Sequence, residues 1–585
     1  VIFFTRNQLL TARTPQFNQQ FYKEEQVNKK VISSSFAVLV VLSLLLTAFM
    51  SAAAPVPAAS LTKANASAFE PIKVSAPNCD YGGEFKSIEA VDETTVKFML
   101  CNPDPAFPSK VAFSVFSIAD QADLDAAKGD SVVMSEKPNG TGPYKLVEWK
   151  KGDSIIYEAN PDYWGEKAKV KSLVFKWSDQ SAQRYLELNS GTVDGIDNPA
   201  PEDIENLKKD SNFAVYDRSA LNIFYIGFNN TIKPFDNEKV REAFAQAIDR
   251  QRIVDQYYPA GSAVAQNFVP DLFNPGFSKD IKWYDYNKDA AKKLLTDAGF
   301  DFNQEIELSF RNVVRGYLPS PDKVAQEIQG QLAEIGVKVK LKEMESATFI
   351  DATSAGKEPF YLLGWGADYP DSTNFFDYHF ANDNNKQFGK LFPDIVAPIK
   401  EAAKLADVAK RQALYDKVNE LLKTHVPMIP VAHGGSATAF KADVKGAHAS
   451  PLTNENFSVM DNGADQLVWM QNGEPAAIWC SDETDGETLR GCEAMYESLL
   501  AYKVGGVEVE PSLAEKYTAN ADATEYVFNL RKGVKFQNGA ALDANDVVAS
   551  FVSQWDASSP NHKGRTGTFE YFGSFFGSFL NAPKK

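Results

Sequence analysis

The chain has 585 residues and 44% hydrophobic content, enough for three or four domain-sized units with real cores. Its 60 basic and 77 acidic residues leave a net charge of −17, which opposes binding to phosphate backbones and to anionic lipid. General nucleic-acid binding is thereby excluded, and a large, acidic, multi-domain protein remains.

From Phe36 to Met50 the sequence reads FAVLVVLSLLLTAFM, preceded by Lys29 and Lys30 and followed by Ser51, Ala52, Ala53 and Ala54. A basic region, a short apolar run and a Ser-x-Ala site predict a secretory signal peptide cleaved after Ala53. The competing reading is a membrane anchor, but the run falls short of the roughly 20 residues that span a bilayer. Residues 1–26 lie upstream of where such a signal begins, and Val27 is read as an alternative start. Leu46-Thr47-Ala48 resembles the front of a lipoprotein cleavage site, yet Phe49 stands where the lipid-bearing Cys belongs. Residues 54–78, rich in Ala, Pro, Ser and Lys without periodicity, predict a flexible tether.

Export places Cys79, Cys101, Cys480 and Cys492 in an oxidising compartment, where three pairings are available. The local pairs Cys79–Cys101 and Cys480–Cys492 are expected because each flanks a short element, with free buried thiols as the alternative. Zinc would need tighter C-x2-C or His-bearing spacing, which does not occur.

Strands are expected at Thr95–Leu100, Ile155–Glu158, Ser172–Trp177 and Ile223–Phe228. A helix over Glu238–Tyr257 places Val240, Phe244, Ala247, Ile248 and Val254 on one face, after Asp236-Asn237 as a cap. Further helices are expected at Asp289–Ala298, Pro321–Ile335 and Ile399–Leu422. Gly336 stops the third of these four and the strand Val337–Leu341 follows, an α/β crossover. Strands at Leu467–Met470 and Glu525–Leu530 close the series. No repeat of fixed period occurs, which excludes solenoids and propellers.

Catalytic signatures are missing: there is no G-x-S-x-G elbow, no P-loop and no H-E-x-x-H. His433-Gly434-Gly435-Ser436 reads as a tight turn. His425 and His433, eight apart across Pro427 and Pro430, do not share a helical face. No catalytic residue, metal ligand set or cofactor is therefore expected. A secreted hydrolase stands as the alternative of another class, and it would need an activated nucleophile.

Several stretches resemble the extracellular solute-binding proteins of family 5, the peptide- and nickel-binding components of bacterial ABC importers. Gly140-Thr141-Gly142-Pro143-Tyr144 followed by Asn160-Pro161-Asp162-Tyr163-Trp164 resembles that family's GTGPY…NPDYW pair. Phe228-Asn229, Pro234-Phe235-Asp236 and Val240-Arg241-Glu242-Ala243 resemble its helix entry. Leu530-Arg531-Lys532-Gly533-Val534-Lys535-Phe536, then Asn538-Gly539 and Asp546-Val547-Val548, resemble a third signature, which in the family precedes GTGPY. Here it comes last. Residues 465–585 look like the family's beginning and 79–460 like its remainder, so the order reads as a circular permutation, with the polar stretch 440–465 as the join. Fusion of two fragments is the alternative.

The resemblance implies an α/β (mixed α+β), two-lobed periplasmic-binding-protein type II-like fold with an extra subdomain. Residues 79–136 and 521–585 would form the subdomain, 137–222 and 431–520 one lobe, and 223–430 the other. It further implies a periplasmic or extracellular, surface-associated monomer that performs no chemistry. Such a protein captures an oligopeptide or dipeptide between its lobes and delivers it to ABC permease subunits. An oligosaccharide receptor is the alternative within the class, chelated nickel stays open as a ligand, and a ligand sensor with a signalling partner is a third role.

A peptide presents an ammonium and a carboxylate, so its site needs an anion near one and a cation near the other. Leu363-Gly364-Trp365-Gly366-Ala367-Asp368-Tyr369 resembles the family's loop whose Asp pairs with the ligand ammonium, which assigns that role to Asp368. Arg315, in Arg315-Gly316-Tyr317-Leu318-Pro319, resembles the Arg that takes the ligand carboxylate as a bidentate fork. The Trp that dipeptide binders carry after the following strand is replaced by Glu343-Met344-Glu345-Ser346-Ala347, which implies a longer pocket or another ligand. Trp365, Tyr369 and Trp479 are expected as cleft walls. Ser481, Asp482 and Thr484 are expected as ligand hydrogen-bonding groups, with helix capping as their alternative.

Overall fold

The computed structural model describes residues 69–583, apart from 260, 313–314 and 383–384, so the apolar run at 36–50 lies outside the described residues. Alternating burial along Thr95–Leu100 and Glu525–Leu530 gives each strand one apolar face. The two pair antiparallel, with Tyr526 opposite Phe98 and Phe528 opposite Val96. They form the middle of a five-stranded sheet ordered Lys73–Ser75, Phe85–Asp92, Thr95–Leu100, Glu525–Leu530, Ala514–Ala519. Helix Ala544–Trp555, closed by a capping box between Asp543 and Asp546, covers its aromatic face. The tether reading thus extends too far: Lys73–Ser75 is an edge strand, and Phe69 and Ile72 pack on this core.

A seven-stranded sheet runs Tyr144–Lys150, Ser154–Ala159, Ser172–Trp177, Gln466–Gln471, Gly195–Asp197, Ser436–Lys441, Phe213–Arg218. Gln466–Gln471 lies parallel to both of its neighbours, Ser172–Trp177 and Gly195–Asp197, both far from it in the chain. The third sheet has six strands, ordered Ala263–Val264, Met428–His433, Asn222–Phe228, Phe360–Gly366, Glu305–Arg311, Lys338–Met344. Its crossover is the expected one. Helix Pro321–Glu334 starts on a proline, Gly336 turns the chain at φ 91°, and the flanking strands pair parallel. Cys79–Cys101 and Cys480–Cys492 are bonded, with Cα separations of 5.6 and 6.0 Å. Among the described residues no helix is long and apolar enough to cross a membrane.

Two long helices expected from periodicity are each broken. Glu238–Tyr257 divides into Glu238–Ala247 and Arg250–Tyr257, because Asp249 leaves helical geometry and its side chain caps the Arg252 amide. Ile399–Leu422 divides into Pro393–Ala402 and Val408–His425, where Asp407 caps the Lys410 amide. Periodicity continues across both breaks, so it did not reveal them.

The chain passes between the seven- and six-stranded sheets twice, from Arg218 to Asn222 and from His433 to Ser436. His433-Gly434-Gly435-Ser436 is therefore an extended passage between sheets and not a tight turn. The Asn222 amide ties the passages together: its Oδ1 accepts from Gly434 N and its Nδ2 donates to the Gly434 carbonyl, each at 2.8 Å. A Cβ at Gly434 would lie 2.2 Å from the Gly316 carbonyl oxygen, so only glycine fits there.

Beside this crossing, four buried charges alternate in a ring. Arg218 Nη2 donates to Asp197 Oδ1 at 2.8 Å and to Glu455 Oε1 at 2.6 Å. Arg490 donates from Nη2 to Asp197 Oδ2 at 3.1 Å and from Nε to Glu455 Oε2 at 2.9 Å. Burial pushes Asp197 up, but the two guanidiniums outweigh it and hold the carboxyl below its usual range. Glu455 belongs to the stretch 440–465, which is a packed wall rather than a plain join. Removing one member would leave buried charge uncompensated. Glu455→Ala is expected to lower the unfolding free energy by about 3–5 kcal/mol in urea titrations.

Candidate functional site

The loop after strand Phe360–Gly366 is organised by one amide. Asn374 Oδ1 accepts from the Trp365 indole and from the Asp368 backbone, both at 3.1 Å, and its Nδ2 donates to Asp368 Oδ2 at 2.9 Å. The Tyr571 hydroxyl, from helix Glu570–Phe576 of the five-stranded unit, donates to the same carboxyl. Burial pushes Asp368 up to about 6, against the lowering by Asn374 and Tyr571, with Glu570 adding to the rise.

Asp368 and Arg315 line one chamber of about 410 Å³. Arg315 is exposed and sits in a short turn, donating its backbone N–H to the Leu318 carbonyl at 3.1 Å. Tyr317, in the same turn, packs over Gly364, where a Cβ would meet its ring at 2.3 Å. Its hydroxyl accepts from Arg311 Nη2 at 3.0 Å. A second chamber of about 1010 Å³ shares Arg315, Tyr317, Gly366 and Ala367 with the first. Its remaining walls include Arg218 from the seven-stranded sheet, Asn198 just after the strand Gly195–Asp197, and Leu452 and Thr453 from the stretch after Ser436–Lys441. The two chambers thus form a cleft between the sheets, floored by the passages at Leu221 and Gly434. Its size suits a short flexible ligand with both charge signs.

Of the expected aromatic walls, Trp365 lines the smaller chamber, stacked on Tyr378 with ring centroids 4.6 Å apart. Tyr369 does not. It turns into the five-stranded unit, packs edge-on against Phe575 at 4.8 Å and lines a separate cavity with Lys110. Trp479 is 1% exposed inside the core of the seven-stranded unit, so its bulk is packing and not wall. Asp482 is structural: it accepts from the backbone amides of Thr566, Gly567 and Phe569 at 2.5–2.7 Å, fixing that loop. Ser481 is buried and Thr484 exposed, and neither lines the two chambers.

Sequence reasoning missed Arg311, Asn374, Tyr378, His379 and Tyr571, which line the chamber or fix its loop. Asn374, six residues beyond Asp368, carried a weak signal as a polar residue opening an aromatic helix. Tyr571 carried none, since it arrives from the far end of the chain. Among the described residues no group of three or more His, Cys, Asp or Glu side chains is placed to hold a metal ion.

A family model described as bacterial extracellular solute-binding proteins, family 5 Middle, matches residues 50–387 and 508–570. A dipeptide-binding protein of Pseudomonas aeruginosa PAO1 is 32% identical over 376 residues, spanning 63% of this chain and 70% of its own. The dipeptide-binding protein of Escherichia coli K12 is 29% identical over 379 residues, with the same coverage. Among solved structures, HbpA2 from Haemophilus parasuis has a TM-score of 0.61 at 33% identity, covering 65% of this chain and 75% of that one. DppA from Helicobacter pylori, in complex with the peptide STSA, has a TM-score of 0.52 at 28% identity, covering 62% and 72%.

The raised Asp368 makes the unliganded fold pH-dependent. Its favourable neutral state is fully present below the unfolded value of 3.8 and is lost as pH rises through about 6. Asp368→Asn is expected to raise stability at pH 7 by about 1–2 kcal/mol. It should also flatten the fall in thermal midpoint between pH 4 and 6.5, read by calorimetry.

Proposed function

Because the chain belongs to the bacterial extracellular solute-binding proteins of family 5, we propose that it captures a dipeptide or oligopeptide in this cleft and delivers it to the permease of an ABC importer. The observation that carries the reading is the chamber itself, which puts the Asp368 carboxyl on the same walls as Arg311 and Arg315. Asp368 takes the peptide ammonium: desolvation leaves this carboxyl short of a cation, and a bound ammonium supplies one. Arg315 takes the carboxylate. The relatives from Pseudomonas aeruginosa and Escherichia coli are named for dipeptide binding, and the Helicobacter pylori structure holds a peptide, which supports the same ligand class.

In place of the family's missing Trp, Ile350 and Ser354 of helix Ser346–Ser354 line the chamber, leaving room for a side chain. The protein works as an exported monomer that binds without chemistry.

The segment order is read as permuted. Residues 576–578 run beside 82–84, with Gly577 bridged to Gly83 and Ser578 N donating to the Gly82 carbonyl at 3.2 Å. A chain rebuilt with residues 465–583 ahead of 69–464, joined through a flexible linker, should therefore melt within a few degrees of the present one.

Titration calorimetry with dipeptides tests the main reading. Asp368→Ala and Arg315→Ala should each weaken binding about 10- to 100-fold, and acetylating the peptide ammonium should mimic the first. Affinity should improve as pH rises through about 6, where Asp368 becomes charged. Binding of a sugar with indifference to both substitutions would overturn it.

A further inference from the structure

The cavity into which Tyr369 turns has a volume of about 470 Å³ and lies where the five-stranded and six-stranded units meet. Glu84, Asp104, Lys110 and Phe575 wall it from the first unit, and Asp377 and Lys400 from the second. The six-stranded unit is held covalently only by the passages at 219–221 and 434–435. A swing about those passages therefore opens or closes this contact.

Cations and acids do not balance here. Lys110 is paired with Asp104 at 2.7 Å and donates to the Phe575 carbonyl at 3.0 Å. Arg411 holds Asp371 through two bonds of 2.7 and 3.0 Å, and Lys400 is exposed. Two half-buried acids are left over, one on each unit. Glu84 Oε1 and Asp377 Oδ1 are shut away from water and have no hydrogen-bond partner among the described residues. A carboxylate oxygen so placed is costly, and a proton on the group removes most of the cost. Burial pushes Glu84 up to about 7, with Asp104 adding to the rise against Lys110 and the Asn102 backbone. Burial likewise pushes Asp377 up to about 7, with Asp371 and Asp104 adding to the rise against Lys110 and Arg411. The nearby phenols of Tyr81, Tyr369, Tyr378 and Tyr415 are all raised by burial and stay neutral.

We propose that this cavity is a proton-operated joint: the two units close on it while Glu84 and Asp377 carry protons, and part more readily once both are charged. The swing of the six-stranded unit is thereby set by pH as well as by ligand. Both acids prefer the neutral form in the closed joint. Its stability is thus fully present below their ordinary values of 4.5 and 3.8 and is lost as pH rises through about 7. The joint stands whether or not the cleft takes a peptide.

Amide hydrogen exchange of the full, unliganded chain at pH 6 and pH 8, corrected for intrinsic rates, tests it. Helices Phe107–Val111 and Thr373–Phe380, one from each unit, carry Lys110 and Asp377 and report on the joint. In the unaltered protein both should open about 10-fold more often at pH 8 for each acid that charges. Asp377→Asn should remove one such factor in Phe107–Val111, across the cavity from the substitution, and Glu84→Gln one in Thr373–Phe380. Both substitutions mimic the protonated acid, so together they should leave the closed joint intact at pH 8. Equal protection at the two pH values in the unaltered protein overturns the inference and needs no variant. An effect of either substitution confined to its own unit also overturns it, since the acid then titrates without moving the joint. So does a full pH dependence that persists in the double variant.

Discussion

Two passages of chain, 219–221 and 434–435, lie side by side, and the Asn222 amide bonds one to the other at 2.8 Å in both directions. Everything that makes a cleft depends on that narrow crossing. The six-stranded unit is one continuous stretch between the passages, so it can face the seven-stranded unit without further covalent ties. Gly434 permits the close approach of the Gly316 carbonyl, which brings the Arg315 turn onto the floor between the sheets. The charged ring next to the crossing has a related role. It joins a strand end, a short central strand, a helix and the stretch carrying Leu452 and Thr453, so that one wall of the larger chamber is held by buried ion pairs. Such pairs add little net stability over apolar packing, but they fix which groups may sit there.

The smaller chamber is prepared by a different device. Asn374 fixes Trp365, the Asp368 backbone and the Asp368 carboxyl at once, so the acid is oriented before a ligand arrives. Its orientation comes with desolvation, and the carboxyl is left short of positive charge. Tyr571 reaches Asp368 from the five-stranded unit, so a carboxyl on the chamber wall also touches the neighbouring unit.

Strand positions were largely legible: burial on one face imposes a period of two on Thr95–Leu100 and Glu525–Leu530, and Ser172–Trp177 reads as a short apolar run buried on both faces. Helix interruptions were not legible. Asp249 and Asp407 act as caps within apolar patterns that run on past them, and a cap differs from a solvated acid only once its amide partner is placed. Aromatic residues misled for a similar reason: Trp365 and Trp479 have the same chemistry, and one is wall while the other is core.

The sequence by itself determined the family, through short motifs spread along the chain, and it drew attention to the loops that carry Asp368 and Arg315. Such motifs are legible because each is set by a few residues adjacent in the chain. Only the tertiary structure decided that these two side chains share one chamber, that Asp482 serves a backbone loop and that Glu455 closes a ring of charges. Each of those facts depends on partners tens to hundreds of residues away, and on how much water the packing leaves around a polar atom. Neither is written in the residues adjacent in sequence.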